Sequence, residues 1–207
     1  MTVTSDGTAG GRLVGVVRFR RSGMDLSMTS SRLDGGTAMR IVYVGSAVYL
    51  DLGTKHEGKT WVRITPGGAD PLSQTIGPLL REVGAGLDPR KQLTGSRDST
   101  VTGASRTRLA GVAATRYTLV TSEEALLAQM EEIATSAGML AEVQKQFKGS
   151  HAESVLLIGD DGLPLRIDSR VVGGRTPSAT SRITYSHWGE PVTIVAPPRS
   201  DVLDYTG

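Results

Sequence analysis

The sequence of 207 residues contains no cysteine, which excludes disulfides, cysteine-based zinc sites, thiol nucleophiles and iron–sulfur clusters. It has no apolar run near the roughly 18 residues that a membrane-spanning helix requires, and it begins without the charged and apolar leader of a secreted protein. Aromatic residues make up only 4% and are scattered, which disfavours a surface that stacks nucleic-acid bases. We therefore expect a soluble chain, either cytosolic or the mature form of an exported protein.

The opposite charges nearly cancel, since 23 Lys and Arg face 21 Asp and Glu and leave a net charge of +2. A field this weak gives little support to nucleic-acid binding. Hydrophobic residues at 38% and charged residues at 21% are ordinary for a globular protein. There is no low-complexity linker, composition shift or convincing internal repeat, so the sequence predicts a single domain over residues 1–207.

Alternating apolar and polar residues dominate the first third of the sequence. One segment alternates Met24, Leu26 and Met28 with polar neighbours, and the next alternates Met39 and Ile41 in the same way. Short glycine-containing turns separate these segments. The pattern predicts a meander of antiparallel strands with one apolar face.

Two amphipathic helices interrupt the strands. The second and longer helix is predicted to begin with Thr121 as its N-cap and Glu124 completing a capping box. Gly138 is predicted to kink or break this helix. The first helix carries the apolar stripe Ile76, Leu79, Leu80, Val83 and Leu87. The second carries the stripe Leu126, Met130, Ile133, Ala137, Leu140 and Phe147. Each stripe follows the helical period and is expected to lie across something apolar.

Strands are predicted at 99–109 and 113–121, and again at 153–158 and 163–172 as a hairpin around the turn 159–162. Further strands are predicted near 179–187 and 191–195, with a tail from Pro197. The order predicts an α+β fold, in which helices cover one face of a large antiparallel sheet.

Such a sheet has more apolar face than two helices can easily close over, so a cavity suited to an apolar ligand is expected between them. Methionines in the pattern favour a lining that adapts to variable shapes. A solid, filled core is the alternative. The candidate lining residues are Met24, Leu26, Met28, Met39, Ile41, Val48, Leu50, Leu126, Met130, Ile133 and Leu140.

Catalytic and metal-binding motifs are mostly absent. The sequence has no nucleophile elbow, phosphate-binding loop or zincin helix, and His56, His151 and His187 are far apart. The turn at Asp160 fails as a calcium loop because position 171 is Val rather than Glu. We expect no enzyme, metal or cofactor, although a hydrolase built from converging His and Asp residues stays a minor alternative.

The cluster Arg18, Arg20 and Arg21 permits two interpretations. Guanidinium groups could meet an anionic headgroup or phosphate. The more ordinary interpretation is a solvated strand face.

The C-terminal third resembles a known family. The segments 157–166, 184–192 and 196–198 resemble the actinobacterial cell-envelope lipoproteins of the LppX/LprG-like group, which are similar in fold to the LolA and LolB carriers. Looser similarity at 47–50, 58–62 and 111–117 extends the resemblance over nearly the whole chain. His187 stands where the group usually has an acidic residue.

The resemblance implies a half-barrel of antiparallel strands with helices in or over its concave side. It also implies a secretion signal and a lipidated cysteine, both missing here together with the usual first helix, so we expect Met1 to begin a shortened chain. Better-known members are similar to carriers of acylated lipids and glycolipids. The implied protein is a lipid-anchored, extracytoplasmic lipid carrier or chaperone; a ligand-free sensor or protein-interaction module is the alternative.

Overall fold

A computed structural model describes residues 1–7, 11–20, 23–32, 38–51, 53–55, 57–65, 73–74, 87–90, 93, 96–131, 137–174 and 180–205. Strands dominate these residues, and all twelve belong to one sheet. The strands are β1 (Thr2–Gly7), β2 (Gly11–Arg20), β3 (Gly23–Arg32), β4 (Met39–Val44), β5 (Ala47–Asp51), β6 (Trp61–Ile64), β7 (Ser99–Leu109), β8 (Val112–Thr121), β9 (Ser150–Gly159), β10 (Pro164–Gly173), β11 (Thr180–Ser186) and β12 (Val202–Asp204). Two helices have bounds within the described residues, α1 (Glu123–Glu131) and α2 (Ala137–Phe147), and a 3₁₀ turn spans Arg199–Asp201. Isolated helical residues are also described at 73–74, 87, 89–90 and 93.

The chain divides into two compact units. The first contains residues 1–6, 10–85 and 185–207, and the second contains residues 7–9 and 86–184. Strand order in the first unit runs β12-β6-β5-β4-β3-β2-β1, and in the second it runs β11-β10-β9-β8-β7. Neighbouring strands from β2 to β6 and from β7 to β11 pair in antiparallel orientation, whereas β12 pairs with β6 in parallel orientation. The expected α+β class, built on a large antiparallel sheet, is confirmed; the single domain stays a prediction.

Two hairpins of the second unit form where the sequence predicts them. Ala110 and Gly111 join β7 to β8 with φ angles of 48° and 85°, the left-handed pair of a type I′ turn. In the β9–β10 turn, the Gly159 N–H donates to the Leu163 carbonyl over 2.8 Å. The Asp161 carboxylate accepts the Leu163 N–H at 3.0 Å. Local turn chemistry therefore positions both hairpins.

The predicted start of the long helix is wrong by one residue. Thr121 ends β8, α1 begins at Glu123, and the Ser122 hydroxyl accepts the Ala125 N–H at 3.3 Å. Ser122 is thus the N-cap, and the residue three positions on is Ala125, so no capping box forms. A break is also predicted at Gly138, but Gly138 is the second residue of α2 and lies inside that helix. Residues 132–136, between α1 and α2, lie outside the described residues.

The C-terminal segment differs from the predicted strand at 191–195. Residues 190–198 form no ladder; instead Val192 and Ile194 pack against Val42 and Trp61. Proline cannot donate to a ladder, and Pro191 lies within this segment. The pairing happens further on, where β12 joins β6. The first predicted helix falls outside the described residues except for Leu87, which is buried.

Candidate functional site

The seven predicted lining residues on strands share one face of the first unit. Leu26 lies opposite Tyr43 and Met28 opposite Ile41, while Ile41 in turn lies opposite Leu50. Directly opposite residues of antiparallel strands point to the same side. We call this surface the apolar face. It comprises Met24, Leu26, Met28, Met39, Ile41, Val48 and Leu50.

Burial divides the apolar face into two groups. Leu26 and Val48 are 1% and 0% exposed, and Met28 and Leu50 are also buried. Met24, Met39 and Ile41 are only half-buried. A side chain without accessible surface cannot touch a ligand unless the fold rearranges, so the second group is the part of the face that is available for contact.

The opposite face of these strands carries charge. Arg18 and Arg20 both donate to the buried Asp25, at 2.7 Å and 2.6 Å to the same carboxylate oxygen. Burial by itself raises the pKa of Asp25. The hydrogen bonds and charges of the two arginines together lower it by more, so the net pKa lies below its ordinary value. Two of the three clustered arginines thus have a carboxylate partner within the chain; Arg21 lies outside the described residues.

A second ion pair on this face lies against an aromatic ring. Arg40 donates to Asp51 through both Nε and Nη2, and its guanidinium lies 4.8 Å from the centre of the Trp61 ring. Trp61 is buried together with Val42 and Ile194. This face is therefore covered by the C-terminal segment, which leaves the apolar face as the candidate ligand surface of the unit.

The helical part of the predicted lining lies in the second unit. Leu126 is buried in α1, which packs against β9. Met130 and Leu140 lie in α1 and α2, but their side chains, and Ile133 as a whole, are outside the described residues. The predicted lining role of these residues stays a prediction.

The second unit has an apolar face that the sequence analysis missed. Tyr117, Leu156, Ile167 and Ile183 lie opposite one another across four neighbouring strands. Leu156 and Ile167 are buried. The available signal was the alternation of Ile167 with Arg166 and Asp168, which marks an apolar and a charged side.

The other side of these strands carries a network of charges beside a small buried cluster of Ala114, Leu157 and Leu165. Asp168 accepts from Arg182 at 2.5 Å and lies 2.9 Å from the Arg166 guanidinium. Glu153 receives a hydrogen bond from Arg170 at 2.8 Å. This hydrogen bond is the main reason that the pKa of Glu153 lies below its ordinary value, and the hydrogen bond with the neighbouring His151 is the next.

The described polar residues singled out in the sequence each have a different partner. His151 lies 3.4 Å from Glu153, His187 Nδ1 lies 3.0 Å from the Ser186 hydroxyl, and His56 is outside the described residues. Asp160 pairs with both Nη atoms of Arg106 at 2.8 Å and 2.9 Å. Where the structure describes the chain, no three His, Asp or Glu residues are placed to hold a metal ion.

Among the described residues, no helix is both long and apolar enough to cross a membrane.

Comparison with known proteins identifies the fold. No family model matches the chain, and no curated protein sequence matches it. The solved structure of LprF from Mycobacterium bovis is similar, with a TM-score of 0.53 and 17% identity, covering 95% of this chain and 88% of LprF. The Mycobacterium tuberculosis lipoprotein LppX is similar with a TM-score of 0.51 and 15% identity, covering 94% of this chain and 88% of LppX. The expected resemblance to this group is confirmed at the level of fold.

Proposed function

We propose that this protein binds an apolar or acylated ligand, such as a lipid or glycolipid, and carries it outside the plasma membrane without catalysing a reaction. The observation that carries the proposal is the common side shared by all seven predicted strand residues. A fold like that of LppX, itself named a lipoprotein, supports the placement in the cell envelope. We propose a lipid anchor for attachment to the membrane and lipid as the partner.

The apolar face suits a hydrocarbon chain for a physical reason. Removing apolar surface from water stabilises a complex by about 25 cal/mol per Å² before the costs of association. Met24 and Met39 are unbranched and polarisable, so they adapt to acyl chains of different length and unsaturation. We propose that these two residues and Ile41 contact the ligand, while the fully buried Leu26 and Val48 hold the strands together beneath it.

A ligand-free interaction module with a filled core is the second candidate. It is favoured by the cluster of Val48, Leu50 and Ile64, in which Val48 and Ile64 are each 0% exposed. Side chains without accessible surface are the sign of close packing rather than of a hollow. The two proposals differ over the half-buried residues of the apolar face, which contact ligand in one and only solvent or protein in the other.

Lipid capture tests the function directly. The protein is produced in an actinobacterial host, purified without detergent and examined by native mass spectrometry. We expect adducts with masses of acylated lipids. After delipidation, the protein should bind the fluorescent fatty acid cis-parinaric acid and release it to competing lipid. Protein that is always empty and never binds the probe would establish the filled module instead.

A pair of variants locates the binding surface. Met24→Gln with Met39→Gln keeps side-chain length but places two amides on the apolar face. An amide that loses water without gaining a partner costs about 1–3 kcal/mol, so affinity for cis-parinaric acid should fall about tenfold or more. The control is Val14→Gln, because Val14 is 39% exposed and lies opposite Thr29, on the other face. Equal affinities in the two proteins would contradict the assignment.

A further inference from the structure

Strand β7 is uncovered along most of its length. It ends the strand order of the sheet, so β8 is its one neighbour among the described strands. Every residue from 100 to 106 is exposed. Because successive side chains of a strand point to opposite sides, this run leaves both faces of β7 open as well as its outer edge.

Turn geometry fixes which backbone groups face outward. The two-residue type I′ turn makes Leu109 and Val112 the first hydrogen-bonded pair of the hairpin. Hydrogen-bonded pairs then recur at every second residue. The N–H and C=O groups of Ala104, Arg106 and Arg108 therefore point away from β8, as a row of donors and acceptors spaced for another strand.

The opposite end of the strand order is the short strand β12, which has three residues. There β12 lies along β6, the Thr60 N–H donates to Asp201 over 2.9 Å, and Arg63 donates to Asp204 over 3.0 Å. Proteins commonly cover or shorten edge strands because an open edge templates pairing with another chain. The strand order of this chain thus ends in a three-residue strand on one side and in the eleven-residue β7 on the other.

The open hairpin is also basic. Residues 96–121 contain Arg97, Arg106, Arg108 and Arg116 against the single acid Asp98. Arg106 is engaged by Asp160, whereas the Nη1 of Arg108 donates to the Gly111 carbonyl, which carries no charge. The hairpin thus offers an extended backbone edge with excess positive charge beside it.

We propose that the outer edge of β7 docks an extended, acidic segment of a partner protein, which adds to the sheet as a further strand. Main-chain hydrogen bonds supply affinity in this mode of recognition, and flanking side chains supply selectivity. A second copy of the chain fits less well, because β7 holds two arginines and no carboxylate. Pairing two such strands would bring like charges together.

The test uses a short synthetic peptide that alternates valine with glutamate, and its lysine counterpart as control. Binding is followed by fluorescence anisotropy at low and high salt. We expect the acidic peptide to bind, more weakly as salt rises, and the lysine peptide not to bind. Amide hydrogen exchange followed by NMR should show protection of Ala104, Arg106 and Arg108 on addition of the acidic peptide.

Two variants separate the backbone and charge contributions. Ala104→Pro removes one outward N–H and is permitted on an edge strand; affinity should fall about fivefold to tenfold, as for the loss of one hydrogen bond. Its control, Ala104→Ser, keeps the N–H and should bind like the original protein. Should Ala104→Pro fail to fold, Arg108→Glu leaves the backbone intact and should also weaken binding. Binding of cis-parinaric acid should be unchanged in all three variants.

Several results would overturn the proposal. These are no binding of the acidic peptide, equal binding of both peptides, or protection confined to other strands. Concentration-dependent dimerisation that protects the same three amides without peptide would replace the partner segment by a second copy. Binding to anionic phospholipid vesicles that Arg108→Glu abolishes, without peptide binding, would replace it by a membrane surface.

Discussion

Arg18 and Asp25 lie directly opposite one another on β2 and β3, and the guanidinium donates to one carboxylate oxygen at 3.0 Å from Nε and 2.7 Å from Nη2. Asp25 is only 4% exposed, so its charge depends on these partners. A slip of one residue between the strands would turn Asp25 toward the apolar face, where it has no arginine. The pair therefore fixes the register that places Leu26 and Met28 on their side.

Asp25 should make the free energy of unfolding depend on pH in the acidic range. Its folded-state pKa lies below the unfolded one, so its stabilisation is fully present above about pH 4 and is lost as the pH falls through the folded-state pKa. Asp25→Asn should lower the free energy of unfolding by about 2 kcal/mol at pH 7 and flatten the decline in acid. Urea unfolding between pH 2 and pH 7, in roughly unit steps, measures both effects.

The control for Asp25 is Asp204→Asn. Asp204 also pairs with an arginine, but its side chain is 56% exposed and that of Arg63 is 43% exposed. Exposed pairs contribute little to stability, so this variant should unfold almost like the original protein at every pH. Equal losses in the two variants would show that burial of Asp25 is unimportant.

Gly15 should be irreplaceable in β2. A Cβ at this position would lie 2.1 Å from the Ser27 carbonyl oxygen and 2.7 Å from the Met28 Cα, so the backbones of β2 and β3 would have to separate. Gly15→Ala should destabilise the protein by about 1–3 kcal/mol. Gly11→Ala is the matched control in the same strand, because its Cβ would meet the Ser31 carbonyl at an ordinary 3.5 Å. Thermal unfolding of both variants decides the matter.

Alternation along the strands was sufficient to predict the fold class and the common side of the apolar face. The reason is local: a period of two fixes which side chains share a face, whatever the strand later pairs with. Glycine-containing turn signals predicted the hairpins at 110–111 and 159–162, since glycine and aspartate determine these turns locally. Resemblance in the C-terminal motifs then predicted the fold that LprF and LppX share.

Interactions between distant segments could not be predicted in this way. Strand β1 has the mostly polar sequence Thr2–Gly7; it lies beside β2, and the Met1 backbone bonds with that of Val17, sixteen residues further along. Val192 and Ile194 alternate like strand residues, but they serve to cover Trp61 rather than to form a ladder. At the start of α1, Thr121 and Ser122 are both good N-cap residues. Because Thr121 still pairs with Ser99 and Ala152 as the last residue of β8, Ser122 is the N-cap.

The covering role of the C-terminal segment predicts a sharp contrast between adjacent residues. Ile194 is 5% exposed and packs with Val42 and Trp61, so Ile194→Ala should cost about 2–4 kcal/mol through the cavity it leaves. Val195 is 67% exposed, and Val195→Ala should be nearly neutral. Urea denaturation measures both. Equal, small effects would mean that residues 190–198 do not belong to the core of the first unit.

Methionine oxidation can identify the ligand surface without any substitution. Met24 and Met39 are half-buried and Met28 is 3% exposed, so dilute hydrogen peroxide should convert the first two to the sulfoxide faster, since exposure governs the reaction. Bound cis-parinaric acid should slow oxidation of Met24 and Met39 and leave Met28 as it was, with peptide mass spectrometry giving each rate. If the fatty acid binds yet protects neither residue, the ligand lies elsewhere. The apolar face of the second unit, formed by Tyr117, Leu156, Ile167 and Ile183, then becomes the surface to substitute next.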